Sequence, residues 1–302
     1  MALDEDDKVL GILPSFLKDN GNFGAVLNSL PFYGSNGGVI EYEGNELVKE
    51  QLINAFYALA EGKNCVSATI ITSPFEENIN FYDEKVCFTF KDNRVGQLTK
   101  LPTYTEEIEN DLFNIYHYKT RNTIRKAKKE KVRVSSDYSD DILRFLMSVH
   151  SNNMLKIGGI EKPKNFFELI SQVFYGEKDF KIYTAYLENK PIAALLVFYF
   201  NKTVEYYTPV IEEDYRNKQG LSLCIFEAMK DAIGRGYEWW NWGGTWTSQN
   251  GVYDFKKRWG TQDREYFYYT RIFNDKIMNL SKETLLKEYP FFYVLPFGRL
   301  SK

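Results

Sequence analysis

The sequence predicts an α/β (α+β) protein with two related units in tandem, each built on a mixed central sheet flanked by helices. The first observation is a repeated order of elements, strand, strand, helix, strand, whose two copies are offset by roughly 170–180 residues. The second is size, because 302 residues with 44% hydrophobic content can fill two cores of ordinary dimensions. We expect two domains, at 1–134 and 135–302.

The first unit starts with 8-KVLGILPSFLKDNGNFGAVLNSLPF-32, where apolar residues alternate with turn residues and predict strand, turn, strand. Apolar residues at helical spacing then predict a helix at 45–61. The run 65-CVSATIIT-72 is typical of a short buried strand, and strand-like composition continues to Phe90. These elements give the first copy of the repeated order.

The second unit repeats this order. Residues 181–210 predict strands, and 221-LSLCIFEAMKDAIGRG-236 predicts a helix that ends at a cap formed by Gly236. The run 237-YEWWNW-242 then predicts a strand. The order therefore recurs in full.

Helices are predicted before the second unit only. A helical pair is expected at 139–153 and 164–176, whereas almost nothing precedes the strands of the first unit. We therefore expect the first domain to be truncated and to lack its opening elements. Between the units, 105–134 predicts a helix or a pair of helices that joins them.

This linking segment carries a local excess of positive charge. Residues 119–133 hold eight basic residues and one acidic residue, a local net charge of +7 (8 − 1). Runs of charge are usually solvated helix faces. Arg121, Arg125 and Lys128 share one helix face, however, from which they can reach a phosphate together. A solvated face and an anion site both stay open.

Composition argues against several classes of function. The 38 basic and 41 acidic residues give a formal net charge of −3, so the whole chain is not a polycation that coats nucleic acid. Three cysteines lie far apart in apolar runs and two histidines lack metal-ligand spacing, so we expect neither a disulfide framework nor a metal site. No apolar run approaches the roughly 20 residues of a membrane span. We expect a cytoplasmic protein, with peripheral attachment at the inner face of the membrane left open.

Tryptophan is concentrated in 239-WWNWGGTWTSQNGVYDFKKRWG-260. In a strand, Trp240 and Trp242 point to the same face, and the pair Gly243 and Gly244 is expected to end that strand. A strand end followed by a glycine loop is a place where α/β sheets bind ligands. For each tryptophan alone, core packing is the simpler explanation, because aromatic residues dominate buried area.

A short amphipathic helix is predicted after the glycine loop. Asn250 is a reasonable N-cap, and the apolar residues that follow are spaced for one or two helical turns. Lys256 and Arg258 would then stand near the glycine loop. Core packing accounts for the glycine pair and for these two basic residues less well than it accounts for the tryptophans.

Four stretches, in order along nearly the whole chain, carry a family resemblance. They are 29-SLPFYGSNGG-38, 121-RNTIRKAKKEKV-132, 213-EDYRNKQGLSLCIFEAMKDAIGRGYEWWNWGG-244 and 243-GGTWTSQNGVYDFKKRWG-260. Together they resemble the Fem-type (FemAB-like) family of the GNAT superfamily, whose members transfer an acyl or aminoacyl group to an amine. The resemblance implies two tandem GNAT-like domains, with no metal and no tightly bound cofactor.

The resemblance also implies a set of site residues. Lys256 is the first choice for stabilising the developing oxyanion or the tRNA acceptor end, and Tyr253 and Asp254 are candidates for contact with the amine. The donor is expected to contact the second domain at Tyr207, Thr208, Arg216, Lys218, Gly220, Gly243 and Gly244. The acceptor is expected between the domains, against Tyr33, Gly34, Asn36, Gly37, Arg121 and Arg125.

The donor is an activated carboxyl compound used as a co-substrate, either aminoacyl-tRNA or acyl-CoA. Acyl-CoA enzymes of the superfamily usually hold pyrophosphate with a glycine-rich loop at a helix N-terminus, where backbone N–H groups meet the anion. The corresponding stretch in this chain, 216-RNKQGL-221, has one glycine and shifted spacing. The loop favours a donor other than acetyl-CoA without deciding between the two classes.

The leading hypothesis is an N-acyl- or aminoacyltransferase that acts on an amine of a cell-envelope precursor, such as a peptidoglycan precursor, or of a polysaccharide precursor. The partner would be a phosphorylated or a nucleotide- or lipid-linked sugar, together with tRNA if tRNA is the donor. One alternative is an acyl-CoA-dependent N-acetyltransferase acting on a nucleotide-linked amino sugar. Another is a catalytically silent relative that binds a glycan precursor or RNA. The oligomeric state stays open.

Overall fold

The computed structural model describes residues 1–19, 21–31, 34–245, 250–296 and 298. These residues form two compact units. Unit 1 consists of the described residues in 1–96, 244–247 and 264–302, and unit 2 of those in 97–243 and 248–263. The basic linking segment therefore lies in unit 2, and the C-terminal segment lies in unit 1. The domain boundary at 134/135 stays a prediction.

The described part of the chain contains both strands and helices, and five strands precede the first helix. The strands are β1 (Ala2–Leu3), β2 (Val9–Ile12), β3 (Phe16–Lys18), β4 (Ala25–Asn28), β5 (Ile40–Glu41), β6 (Cys65–Ile71), β7 (Phe90–Lys100), β8 (Arg133–Ser136), β9 (Phe180–Leu187), β10 (Lys190–Phe200), β11 (Thr203–Ile211), β12 (Trp239–Thr245) and β13 (Gln262–Ile272). The helices are α1 (Glu46–Gly62), α2 (Ile79–Lys85), α3 (Ile108–Ile115), α4 (Tyr118–Lys129), α5 (Asp140–Lys156), α6 (Lys164–Val173), α7 (Gly220–Gly234), α8 (Asn250–Lys257) and α9 (Lys282–Glu288). Short 3-10 helices occur at Glu213–Lys218 and Asp275–Asn279.

Unit 1 contains a mixed sheet in the order β3-β4-β6-β13-β7 and a small sheet β1-β2-β5. Strands β4 and β6 run parallel, and α1 connects them along the chain. The α1 helix begins where the Asn45 side chain accepts a hydrogen bond from the Val48 N–H. Its buried side, which includes Leu52 and Phe56, packs in the main core of the unit.

Unit 2 has the strand order β12-β11-β10-β9-β8, with the end of β7 beside β12. Strands β11 and β12 run parallel and are connected by α7, whereas the pairs β8–β9, β9–β10 and β10–β11 are antiparallel. One face of this sheet packs against α7, and the other face packs against α5 and α6. Leu195 and Leu196, neighbours on β10, lie in these two different cores because strand side chains alternate.

Both units thus contain a parallel strand pair joined by a helix, as the repeated order predicts, and the α/β fold class is confirmed. The expected helices at 45–61, 139–153, 164–176 and 221–236 correspond to α1, α5, α6 and α7. The helix ends at Gly234 with Arg235 as its cap residue, so Gly236, whose φ is +79°, lies one position beyond the cap that it was expected to form. No helix in the described part of the chain has the length and apolar character needed to cross a membrane.

Two local expectations are wrong. The chain before Phe90 is not continuous strand, because the Asn78 side chain caps α2 by accepting the Phe81 N–H, and Phe81 and Tyr82 are then buried on that helix. The glycine pair does not end β12 either. That strand continues through both glycines to Thr245, although Gly243 adopts a φ of +71° that favours glycine.

Candidate active site

The candidate active site lies in unit 2, where the parallel strands β11 and β12 stop pairing. The pairing joins Thr203–Glu205 to Trp239–Asn241, and among the described residues it ends there although both strands continue. The chain between them passes through α7. Ligands in α/β sheets bind at the carboxyl ends of parallel strands, so the last paired residues mark the place to look for chemistry.

Glu205 and Asn241 form that last pair. The Asn241 amide donates a hydrogen bond of 3.0 Å to the Glu205 carboxylate, and its side-chain oxygen accepts the Gly243 N–H at 2.9 Å. Burial raises the pKa of Glu205 from 4.5 to about 7, and the bond from Asn241 opposes this only in part. A carboxyl group with this pKa can accept a proton at neutral pH.

A β-bulge follows immediately on β11. Tyr206 is opposite Val197 and Thr208 is opposite Leu196, so Tyr207 is an extra residue outside the regular pairing. Bulges redirect side chains and interrupt the hydrogen-bond ladder between strands. The backbone N–H groups at such an interruption can bind the carbonyl oxygen of an acyl donor. The buried Thr208 hydroxyl has no hydrogen-bond partner within the described residues. Tyr207 and Thr208 are predicted donor contacts, and the structure places both at the bulge, two and three residues beyond Glu205.

The bulge separates two aromatic environments. On the α7 face, Tyr206 lies 4.9 Å from the Trp242 ring, and Trp240 and Trp259 lie within 6 Å of Trp242, centroid to centroid. On the α5 and α6 face, Tyr207 stacks on Phe166 at 5.8 Å. Three tryptophans thus form a buried floor under the α7 side of the site. Trp246 lies outside the described residues.

Lys256 is buried on α8, with 6% of its surface exposed. Its ammonium is 3.5 Å from the Gly243 carbonyl oxygen, so it lies beside β12 just past the last paired residue. Burial lowers its pKa from 10.5 to about 8. This position is compatible with the predicted role in stabilising an anion, and the role itself stays a prediction.

The other predicted catalytic residues are in different surroundings. Tyr253 donates a hydrogen bond of 2.6 Å to Asp263, which raises the pKa of the phenol, and Asp263 also pairs with Lys257 at 3.0 Å. Asp254 is exposed on α8. Lys256, by contrast, contacts the end of β12 at the Gly243 carbonyl oxygen. The predicted donor contact Gly244 is a close-approach position, because a Cβ there would overlap the Tyr266 hydroxyl oxygen.

The predicted phosphate loop precedes α7. Gln219 has a φ of +59°, and α7 begins at the buried Gly220, where a Cβ would be 3.1 Å from the Ala185 Cβ. Arg216 is exposed, whereas Lys218 forms an ion pair of 2.7 Å with Glu130. The helix N-terminus is available to an anion in principle. Lys218 can bind a phosphate of the donor only if it first breaks its ion pair with Glu130.

The predicted acceptor residues are divided between the two units. In unit 1, the Gly34 carbonyl accepts a hydrogen bond from Tyr268, Asn36 accepts one from Ser73, and a Cβ on Gly37 would be 2.7 Å from Leu30. Tyr33 lies outside the described residues. These contacts make the glycine loop a packed segment.

In unit 2, the basic face of α4 is turned towards α3. Arg121 donates to the carbonyl oxygens of Phe113 and Tyr116, and the Arg125 guanidinium is 5.2 Å from the Phe113 ring centroid. Lys128 pairs with Glu109 at 3.0 Å. The three residues predicted to share one face therefore do share it, but that face is engaged within the protein.

Sequence reasoning missed Glu205 and Asn241. Glu205 is a single acid within the otherwise apolar or uncharged strand 203-TVEYYTPVI-211, which was a usable signal. A charged group in a buried strand needs either a partner or a function. Asn241 gives no comparable signal, because an uncharged residue among three tryptophans is also compatible with core packing.

Comparisons with known proteins concern the fold and one domain of this chain. Residues 116–257 match the family model described as an acetyltransferase (GNAT) domain. The crystal structure of FemX is similar over 91% of this chain and 88% of that chain, with 13% sequence identity and a TM-score of 0.67. L-PGS from Bacillus licheniformis is similar over 96% and 88%, with 13% identity and a TM-score of 0.55. No curated protein matches the sequence.

A third similar solved structure is itself a tandem protein. It is a tandem GNAT protein from the clavulanic acid biosynthesis pathway, similar over 89% of this chain and 81% of that chain, with 8% identity and a TM-score of 0.53. At such identities the likeness concerns the fold. The chain has an α/β fold with tandem GNAT-like architecture, and the candidate site at β11 and β12 lies within the matched GNAT domain.

Proposed function

We propose that this protein transfers an acyl or aminoacyl group from an activated donor to an amine of a cell-envelope or polysaccharide precursor, as a Fem-type enzyme of the GNAT superfamily. The observation that carries the proposal is the Glu205 carboxyl group, which has a pKa of about 7 and lies where β11 and β12 separate. The match of 116–257 to a GNAT acetyltransferase domain supports the reaction class.

The chemistry begins with the acceptor, which arrives as an ammonium ion. Ionised Glu205 accepts one proton from it, and Asn241 holds the carboxylate in place during this step. The amine nitrogen then attacks the carbonyl carbon of the donor ester or thioester. A new C–N bond forms and the carbonyl oxygen takes up negative charge.

Collapse of this intermediate breaks the bond between the carbonyl carbon and the leaving group, a ribose oxygen or a thiol sulfur. The leaving group departs with the second proton of the nitrogen, which thereby becomes an amide nitrogen. Backbone groups at the Tyr207 bulge are positioned to bind the donor carbonyl, and Lys256 beside Gly243 supplies positive charge near the end of β12. Positioning and electrostatics are sufficient because the donor is already activated.

Acetyl-CoA stays a second candidate for the donor. The α7 helix begins at Gly220 with a left-handed residue before it, and a helix of this length binds phosphate at its N-terminus through free N–H groups. The ion pair between Lys218 and Glu130 disfavours this candidate, because the loop cation is already neutralised. A donor assay can distinguish the two.

The test uses hydroxylamine as a general acceptor, since it captures an acyl group from either donor as a hydroxamate. The purified chain is incubated with acetyl-CoA in one reaction and with aminoacyl-tRNA in another, and hydroxamate formation is compared with the reaction lacking protein. Protein-dependent hydroxamate from one donor identifies that donor. Absence of protein-dependent hydroxamate with both donors would contradict the proposal and favour a silent binding protein.

A further inference from the structure

Lys162 lies in the loop between α5 and α6, on the same face of the unit 2 sheet as Tyr207. Its ammonium nitrogen is 5.0 Å from the centroid of the Tyr207 ring. The backbone N–H of Lys162 donates a hydrogen bond of 3.1 Å to Nε2 of the buried His150, which fixes the loop at this point. The side chain is therefore held over the ring of the bulge residue.

The charge of Lys162 is not neutralised within the described structure. Within that part of the chain its ammonium group makes no ion pair with a carboxylate, and burial is the cause of its pKa shift. Burial lowers the pKa of Lys162 to about 8, which leaves the group largely protonated at neutral pH. A partly buried ammonium group loses hydration, and a ring face replaces only part of it.

The titratable neighbours do not remove this imbalance. His150, on α5, has its pKa lowered to about 4 by burial, so it is neutral near pH 7. Glu161 is exposed, and it influences His150 only weakly compared with burial. From the strand side, Tyr207 has its pKa raised to about 12 by burial and by Glu205, so the phenol is also neutral. The described neighbours of Lys162 on α5 and in its own loop therefore leave its ammonium group without a carboxylate at ion-pair distance.

Glu205 belongs to the same face. Its strand neighbours Val204 and Tyr206 pack on the α7 side, so alternation places the Glu205 side chain on the side of α5 and α6. Asn241 alternates in the same way between Trp240 and Trp242, and it contacts Glu205. The proposed base and the Lys162 ammonium group therefore both adjoin Tyr207 on one side of the sheet.

We propose that Lys162 binds an anionic group of the acceptor, a carboxylate or a phosphate, and thereby places the acceptor amine beside Glu205. This inference rests on the proposed function, since it assigns the acceptor to the α5 and α6 side of the site. It predicts a preference for acceptor amines that carry an anion nearby, while small neutral amines remain weaker acceptors. Neutral amines would lose the charge-assisted contact and would leave the ammonium group uncompensated.

The test measures binding without any donor. Calorimetric titrations compare two matched pairs of probes, O-phosphoethanolamine with ethanolamine, and glycine with glycinamide, at equal ionic strength. For the wild-type chain, we expect the anionic member of one pair to bind about tenfold more tightly than the neutral member. The pair that shows the preference identifies the anion as phosphate or carboxylate.

Variants separate anion binding from a structural role. Lys162→Met should abolish the preference for the anionic probe, and Lys162→Arg should retain most of it because the charge is kept. Lys164→Met, at an exposed position two residues away, should leave the preference unchanged. Equal or undetectable binding of charged and neutral probes by the wild-type chain would overturn the inference, as would a preference that survives in Lys162→Met.

The outcome is independent of acyl transfer. A chain that shows the Lys162-dependent preference but forms no hydroxamate from either donor would uphold this inference and contradict the proposed function. A chain that transfers acyl groups but shows no such preference would do the reverse.

Discussion

The side-chain amide of Asn241 on β12 donates a 3.0 Å hydrogen bond to the carboxylate of Glu205 on β11, at the last paired position of the two parallel strands. The side-chain oxygen of Asn241 also accepts a hydrogen bond from the Gly243 N–H, so this side chain links the Glu205 carboxyl group on β11 to Gly243 on β12. Because the pairing ends at this point, the Glu205 carboxyl group lies where the two strands begin to separate. This relationship is the basis of the assigned chemistry.

Glu205→Gln should change stability in a pH-dependent way. The folded pKa of about 7 lies above the ordinary 4.5, so the folded state binds more protons between these values and wild-type stability falls as pH rises through that window. Above pH 7 the ionised carboxylate costs about 3 kcal/mol, which glutamine avoids. Urea unfolding at several pH values should show the variant more stable than wild type near neutral pH and equal to it below the ordinary glutamate pKa. The control is Glu168→Gln at an exposed position, which should not change the pH dependence of stability. If the free energy of unfolding varied with pH in the same way for wild type and Glu205→Gln, the raised pKa of Glu205 would be refuted.

Lys256→Met should raise stability at neutral pH and lower activity. The folded pKa of about 8 lies below the ordinary 10.5, so the unfolded state binds more protons between these values and wild-type stability rises with pH there. Removing the buried ammonium group should stabilise the chain by about 3 kcal/mol at pH 7, with the gain lost above the ordinary lysine pKa. Thermal melting across this range is the measurement. The exposed neighbour Lys257→Met should show no such pH dependence, and a destabilised Lys256→Met at pH 7 would argue that the ammonium group is a structural contact.

Gly220→Ala should destabilise unit 2, whereas Gly234→Ala should not. Both glycines lie on α7, but a Cβ at Gly220 would be 3.1 Å from the Ala185 Cβ and from a methyl carbon of Ile192, and a Cβ at Gly234 meets nothing within 4 Å. Overpacking at the first position should cost about 1–2 kcal/mol, and the second change should stabilise by about 0.5–1 kcal/mol through helix propensity. Urea unfolding measures both. Equal effects would mean that the helix start can move away from β9 and β10.

The two faces of α4 should respond differently to mutation. Arg121→Gln removes hydrogen bonds to two carbonyl oxygens of the α3 region and should lower stability by about 1–2 kcal/mol. Lys126 and Lys129 are exposed, and the double change Lys126→Gln/Lys129→Gln should leave melting unchanged. If tRNA is the donor, the double variant should bind tRNA more weakly and with a smaller salt dependence, by about two units of slope. An unchanged salt slope in a chain that binds tRNA would exclude this face as the contact.

Much of the fold was predictable from the sequence because it depends on periodicity. The repeated order of elements gave α1, α5, α6 and α7 within a few residues, since apolar spacing and capping residues act locally. The α2 helix was missed because its seven residues contain too few turns to show a helical period, and its start depends on one capping side chain, Asn78. Strand β12 continues past its glycines to Thr245, and its neighbours in the sheet, β7 and β11, are not visible in the local sequence pattern.

The candidate site was harder to predict. Lys256 was singled out by its motif, and the structure places it against Gly243. The pKa of Glu205 depends on burial and on Asn241, which is 36 residues away in the chain and contacts it only after β11 and β12 pair. The engagement of Arg121 and Arg125 with α3 was equally hidden, because a sequence shows that residues share a helix face but not what that face contacts.

The most direct test of the central claim, that Glu205 removes a proton from the acceptor amine, compares two acceptors in Glu205→Gln. Hydroxylamine is already unprotonated at neutral pH, whereas the sugar amine of UDP-glucosamine is largely protonated and needs a base. With the donor fixed, we predict that the substitution slows transfer to UDP-glucosamine by about 100-fold, slows transfer to hydroxylamine far less, and removes the rise of the wild-type rate with pH around 7. Equal slowing with both acceptors, or an unchanged pH profile, would contradict the role of Glu205 as the base.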